Sequence, residues 1–141
     1  MPLRSYIDKL ETLTPILEDT ENKRQKVLDF MRHAPCICFL KNADTGKYEF
    51  ANAAMCEALN KTENEVIGKT DYELLSLDEA KISTNHDLEV LAEKKELITI
   101  RKVKGKVYLV AKFLVVNGGT SIGGFGIEFP ENFKLVYSKE E

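Results

Sequence analysis

At 141 residues and 43% hydrophobic content, the chain is long enough to bury a core without disulfide or metal staples. Its 20 basic and 23 acidic side chains leave a net charge of −3, without the basic excess that non-specific binding to nucleic acid or anionic membranes requires. No apolar run approaches the roughly 18–20 residues needed to span a bilayer, and the opening MPLRSYIDKLETLTP has acidic residues and no apolar signal core. Cys36, Cys38 and Cys56 are odd in number and lack the paired spacing of a zinc site, so free thiols in a reducing, cytoplasmic setting are expected.

The first 32 residues read as a helical extension. Leu3, Tyr6, Leu10, Leu13 and Leu17 fall at alternating three- and four-residue spacing, and Thr14-Pro15 supplies an N-cap followed by proline. Two helices, near 2–13 and 15–32, are therefore expected, the leucine seam serving a homodimer. His33, at the helix end, is placed to satisfy the last carbonyls.

From Pro35 the texture changes. CICFLK and KYEFAN flank Asp44-Thr45-Gly46 and predict a hairpin over 36–52. A helix in AAMCEALN follows, then a one-turn helix opened by the capping box Thr62 to Glu65 and stopped before Gly68. Asp71 is expected to cap another short helix. The longest helix is predicted over about 78–94, with Ala80, Ile82, Leu88, Val90 and Leu91 as its apolar contacts. ELITIRKVK, KVYLVAKFLVV and SIGGFGIEF then predict three strands turned at Gly105 and at Asn117-Gly118-Gly119. Strands segregated from helices in this way imply an α+β domain with an antiparallel sheet.

Five segments in this order resemble a PAS domain: Ala34-Pro35 before the first strand, FANAAMCEALN at 50–60, VIGKTDYELLS at 66–76, DEAKISTNHDLEVLAEKKE at 78–96, and GGFGIEF at 123–129. The resemblance implies a PAS fold, a five-stranded antiparallel sheet with short helices on one face, over 33–130. Residues 1–32 precede it and a tail over 131–141 follows it. It also implies a signal-sensing and interaction module with an as yet unknown downstream signalling partner. Where many relatives carry an Asp-Ile-Thr-like triplet leading to an output helix, this chain reads Glu128-Phe129-Pro130. The following segment is too short for an output domain, so a stand-alone domain or an excerpt is expected.

Catalytic motifs are missing. There is no GxSxG, Walker loop or HExxH, and Gly123-Gly124-Phe125-Gly126 lies inside a predicted strand, where close helix-to-sheet packing accounts for it. No enzyme activity is expected. His86-Asp87 is similar to the His-Asp pair of haem-binding oxygen sensors, which makes His86 a candidate haem ligand, although the expectation is an inward or rim position without metal. A flavin is not expected, because Asn52 and Cys56 do not form the cysteinyl-adduct motif. A small ligand in the core is open, and its candidate lining is Phe39, Met55, Tyr72, Leu91, Ile98, Ile100, Phe113 and Phe125. The basic crowd Lys94, Lys95, Arg101, Lys102, Lys104, Lys106 and Lys112 is expected to be a solvated sheet surface.

Overall fold

The structure, a computed structural model of the chain, describes residues 20–116 and 119–130. It divides into two units after His33. In the first, helix α1 (Thr20–Arg32) ends where the His33 Nδ1–H donates to the Asp29 carbonyl at 2.9 Å, the capping role its position implies. The leucine seam at 3–13, the Thr14-Pro15 break, the turn at Asn117-Gly118 and the tail from 131 lie outside the described residues.

The second unit runs β1 (Ile37–Asn42), β2 (Tyr48–Ala51), α2 (Ala53–Leu59), α3 (Glu63–Val66), α4 (Asp71–Leu74), α5 (Leu77–Glu93), β3 (Leu97–Val103), β4 (Lys106–Val116) and β5 (Thr120–Glu128). The five strands form one antiparallel sheet in the order β2-β1-β5-β4-β3, so the first strand lies beside the last. The β1–β2 turn is built by Asn42, whose Oδ1 accepts from Asp44 N at 2.8 Å and Thr45 N at 3.0 Å.

The helices between β2 and β3 are short because each is capped at once. Asn52, buried at the end of β2, accepts from Met55 N and from Cys38 N, both at 3.0 Å, and donates to the Cys36 carbonyl at 2.8 Å. One side chain thus starts α2 and ties it to the entry of β1. Thr62 N donates to Glu65 Oε1 at 2.8 Å, the expected capping box, and Gly68 follows at φ +85°. Thr70, not Asp71, is the N-cap of α4, with its N–H on Glu73 Oε1 at 3.0 Å, which leaves the Asp71 carboxylate available for another purpose. Ser76 caps α5 in the same manner.

Core apolar packing gathers Phe39, Tyr48, Met55, Leu59, Val66 and Leu74 under α2–α4. The glycine run in β5 serves contacts from neighbouring strands and not the helix-to-sheet approach expected of it. A Cβ on Gly124 would fall 2.1 Å from the Phe39 ring, and one on Gly123 2.6 Å from the Phe113 ring.

Candidate functional site: a charge cluster between helix and sheet

Inner-face positions are defined by strand parity. On β4, Tyr108, Val110 and Lys112 point toward the helices. On β3 the equivalent positions are Leu97, Thr99, Arg101 and Val103. Charged residues occupying the apolar phase of a strand meet helix α5, whose buried stripe is Ala80, Ser83 and Val90.

Lys41 of β1, only 1% exposed, donates to Asp71 Oδ2 at 2.7 Å and Asp87 Oδ2 at 2.5 Å. Lys112 of β4, 2% exposed, donates to Asp87 Oδ1 at 2.7 Å, Ser83 Oγ at 2.9 Å and the Ser83 carbonyl at 3.1 Å. Asp71 also accepts from Tyr48 OH and Ser83 Oγ, each at 2.6 Å. Asp87 therefore bridges two lysines from different strands, while Asp71 joins β1, β2 and α5. The Lys41 ammonium also lies 5.4 Å from the Tyr48 ring centroid and 5.7 Å from that of Phe39.

Burial and pairing pull the ionisation equilibria in opposite directions. Burial alone would raise the Asp71 carboxyl, but Lys41 and the hydroxyls of Ser83 and Tyr48 outweigh it and hold it below the ordinary value. Burial, then the Asp71 charge, pushes the Tyr48 phenol well above 10. Burial and the neighbouring Lys41 charge bring Lys112 down to about 8, against the upward pull of Asp87. His86 is lowered by burial and then by the charges of Lys112 and Arg101.

Two spaces flank the cluster. A surface cleft of about 220 Å³ is lined by Asn42, Thr45, Asp71, Tyr72, Asp87 and Leu91 among others. A core cavity of about 60 Å³ lies on the other side, bordered by Phe39, Tyr48, Met55, Ser83, Arg101 and Lys112. Asp71 and Asp87 border the first, and Lys112 borders the second.

The expected pocket lining is therefore dispersed. Phe39 and Met55 border the core cavity, whereas Tyr72 and Leu91 border the surface cleft. Ile98 and Ile100, 63% and 42% exposed, have the opposite parity to Arg101 and lie on the outer face of the sheet. Phe113 and Phe125 are on that outer face too, their rings 5.4 Å apart. The expectation that these four line the pocket is corrected by register: in β3 the more apolar phase faces outward and the phase carrying Arg101 faces the helices. For the same reason Arg101 and Lys112 are buried and do not belong to a solvated basic surface. Along α5, Ile82 and Leu88 are exposed, and Ser83 and Asp87 take the inward positions expected of apolar residues.

His86 is half-buried, and its Nδ1 is buried without a hydrogen-bond partner. It does not border the core cavity, which is far below the roughly 300–1,000 Å³ of typical cofactor and ligand pockets. Ion pairs fill the layer between α5 and the sheet, where a porphyrin would have to lie, so the residues present do not fit a haem. Cys36, Cys38 and Cys56 are free thiols, and burial, followed by Cys36, pushes Cys38 up to about 12.

The sequence matches the family model described as the PAS fold over residues 31–115, more than half of the chain, and the protein belongs to that family. No curated protein matches it in sequence. Among solved structures, the PAS domain of Bordetella pertussis BvgS is similar at a TM-score of 0.60 and 17% identity, with 83% of this chain and 93% of that one covered. The Rhodobacter sphaeroides LOV protein aligns at 0.63 and 14% identity, covering 79% and 69%. VqmA bound to DPO aligns at 0.63 and 16% identity, covering 74% and 57%. At these identities the likeness is one of fold. The fold is that of a signal-sensing and interaction module.

Proposed function

We propose that the protein is a sensory and interaction module that takes up a small molecule between α5 and the inner face of the sheet, and that it has no enzyme active site of its own. The observation that carries this is the buried cluster of Lys41, Asp71, Asp87 and Lys112 beside the core cavity. Buried ion pairs are poor contributors to stability, and their best-attested use is to define or switch between arrangements. Here the pairs span β1, β4, α4 and α5, so a molecule that rearranges one of them alters how the helices sit on the sheet. VqmA, similar in fold, is described as bound to DPO.

Output passes through a homodimer formed by the N-terminal segment, whose seam of Leu3, Tyr6, Leu10 and Leu13 needs an apolar partner, and onward to a downstream signalling protein. Nucleic acid and membrane are not its partners, given the net charge of −3, and no described helix is long and apolar enough to cross a membrane. The setting we assign is cytoplasmic. A second reading, a ligand-free adaptor, is favoured by the small size of the core cavity, about 60 Å³. Native mass spectrometry separates the two: a retained small molecule supports the sensor, and bare protein from every host favours the adaptor. Deleting residues 1–13 should leave a folded monomer by sedimentation, and an unchanged dimer would remove the role given to the seam.

A further inference from the structure

Three buried cations, Lys41, Arg101 and Lys112, face only two carboxylates, Asp71 and Asp87, in the layer between α5 and the sheet. Both lysines are ion-paired. Arg101 is not: at 7% exposure its one hydrogen bond among the described residues runs from Nη2 to the Glu79 carbonyl at 3.3 Å. The nearby Glu79 carboxylate is committed elsewhere, accepting from Ser76 N at 3.2 Å and Lys104 N at 2.9 Å. A guanidinium carries five N–H donors in a planar fork, and this one bond leaves most of the fork open to a further acceptor.

Arg101 borders the core cavity together with Lys112 and Ser83. The two cationic heads are bound to the carbonyls of Glu79 and Ser83, four residues apart on α5, and those carbonyls are about 6 Å apart along the helix at 1.5 Å per residue. Much of the remaining lining is apolar and includes Phe39, Met55, Leu74 and Val110. His86, whose Nδ1 is buried and unpaired, feels the charges of both Arg101 and Lys112, with Glu89 and Asp87 acting against them.

We infer that the core cavity is a binding site for a short-chain monocarboxylate, its carboxylate held in the fork of Arg101 beside Lys112 and its alkyl body against Phe39, Met55 and Val110. The planar fork matches a carboxylate in a bidentate pair, and Lys112 beside it favours an anion over a neutral ligand. The apolar wall excludes inorganic phosphate, which has no alkyl body to bury. A volume near 60 Å³ limits the ligand to the smallest acids, of about two or three carbons. This inference rests on the sensor reading and names its ligand class.

The test is an NMR titration of the full-length protein with sodium acetate, propionate and butyrate, and with propionamide as the neutral isostere, at constant ionic strength. Propionate or a neighbour in that series should give saturable shifts at residues 79–86, 101 and 112, whereas propionamide should not. Arg101→Gln should weaken binding at least tenfold. Arg101→Lys, which keeps the charge but loses the fork, should weaken it less and guards against a glutamine variant that fails to fold. Saturation should also raise the pKa of His86 in the wild type, because the bound anion offsets the two cations that lower it. The inference is overturned if propionamide binds as well as propionate, if both Arg101 variants bind propionate as the wild type does, or if His86 titrates unchanged at saturation. Amide binding without acid binding would leave the sensor reading in place, whereas no saturable response to any probe would count against both.

Discussion

Neutralising Asp71 is the sharpest perturbation of the charge cluster. Asp71→Asn keeps the side-chain shape and one of its two acceptor oxygens but leaves Lys41 and Lys112 sharing the single carboxylate of Asp87. Lys41 is 1% exposed and cannot reach water without opening the sheet. Breaking a buried ion pair by removing one partner costs about 3–5 kcal/mol, a large part of the roughly 5–15 kcal/mol that holds a typical domain together. With a urea slope of about 1.5 kcal/mol/M, the unfolding midpoint should fall by roughly 2 M or more. Lys41→Met alone should also destabilise, since it leaves Asp71 buried without its cation. The double variant Lys41→Met/Asp71→Asn retains the balanced Lys112–Asp87 pair and should be more stable than the sum of the two single losses implies, with a coupling of about 2–3 kcal/mol. Urea denaturation of all four proteins completes the cycle. If Asp71→Asn costs less than about 1 kcal/mol, or if the two losses simply add, the cluster is not an ionic unit.

Three further outcomes follow from the same geometry. Asn52→Ala removes the acceptor of Cys38 N and Met55 N and the donor to the Cys36 carbonyl, so thermal or urea unfolding should show a loss of about 2–3 kcal/mol; a change below 1 would mean water replaces the amide. Gly124→Ala drives a methyl to 2.1 Å from the buried Phe39 ring and should cost about 1–3 kcal/mol, with partial recovery in a Gly124→Ala/Phe39→Leu double variant; no recovery would place the strain elsewhere. Lys112 falls to about 8 in the fold from an ordinary 10.5, so above pH 8 the unfolded chain holds a proton that the folded one releases, and this contribution to stability rises with pH. The stability of the wild type relative to Lys112→Met should therefore climb between pH 8 and 10, by at most about 1.4 kcal/mol per unit, in urea unfolding series. The difference isolates Lys112 from Cys38, whose raised thiol acts in the opposite sense above pH 9, and a flat difference would mean the lysine stays charged.

The order of elements was legible in the sequence because it is written in local chemistry. The turn at Asp44-Thr45-Gly46, the capping box at Thr62 to Glu65 and the stop at Gly68 act over a few residues, and each stands where its residues imply. The family resemblance rests on the same signals. Strand register and the inward phase of α5 were not legible, because hydrophobicity was a misleading guide to them. Ile98 and Ile100 outweigh Thr99 and Arg101 in apolar character yet face outward, and Ser83 and Asp87 face inward where Ile82 and Leu88 do not. One clue was present: Lys41 follows Ile37 and Phe39 at two-residue spacing, and Lys112 follows Tyr108 and Val110, so each lysine sits in the apolar phase of its strand. What no local rule supplies is that these lysines, 71 residues apart, meet carboxylates carried by two helices. A charge enters the interior only when its counter-charge arrives with it, and that coincidence exists only after the chain has folded.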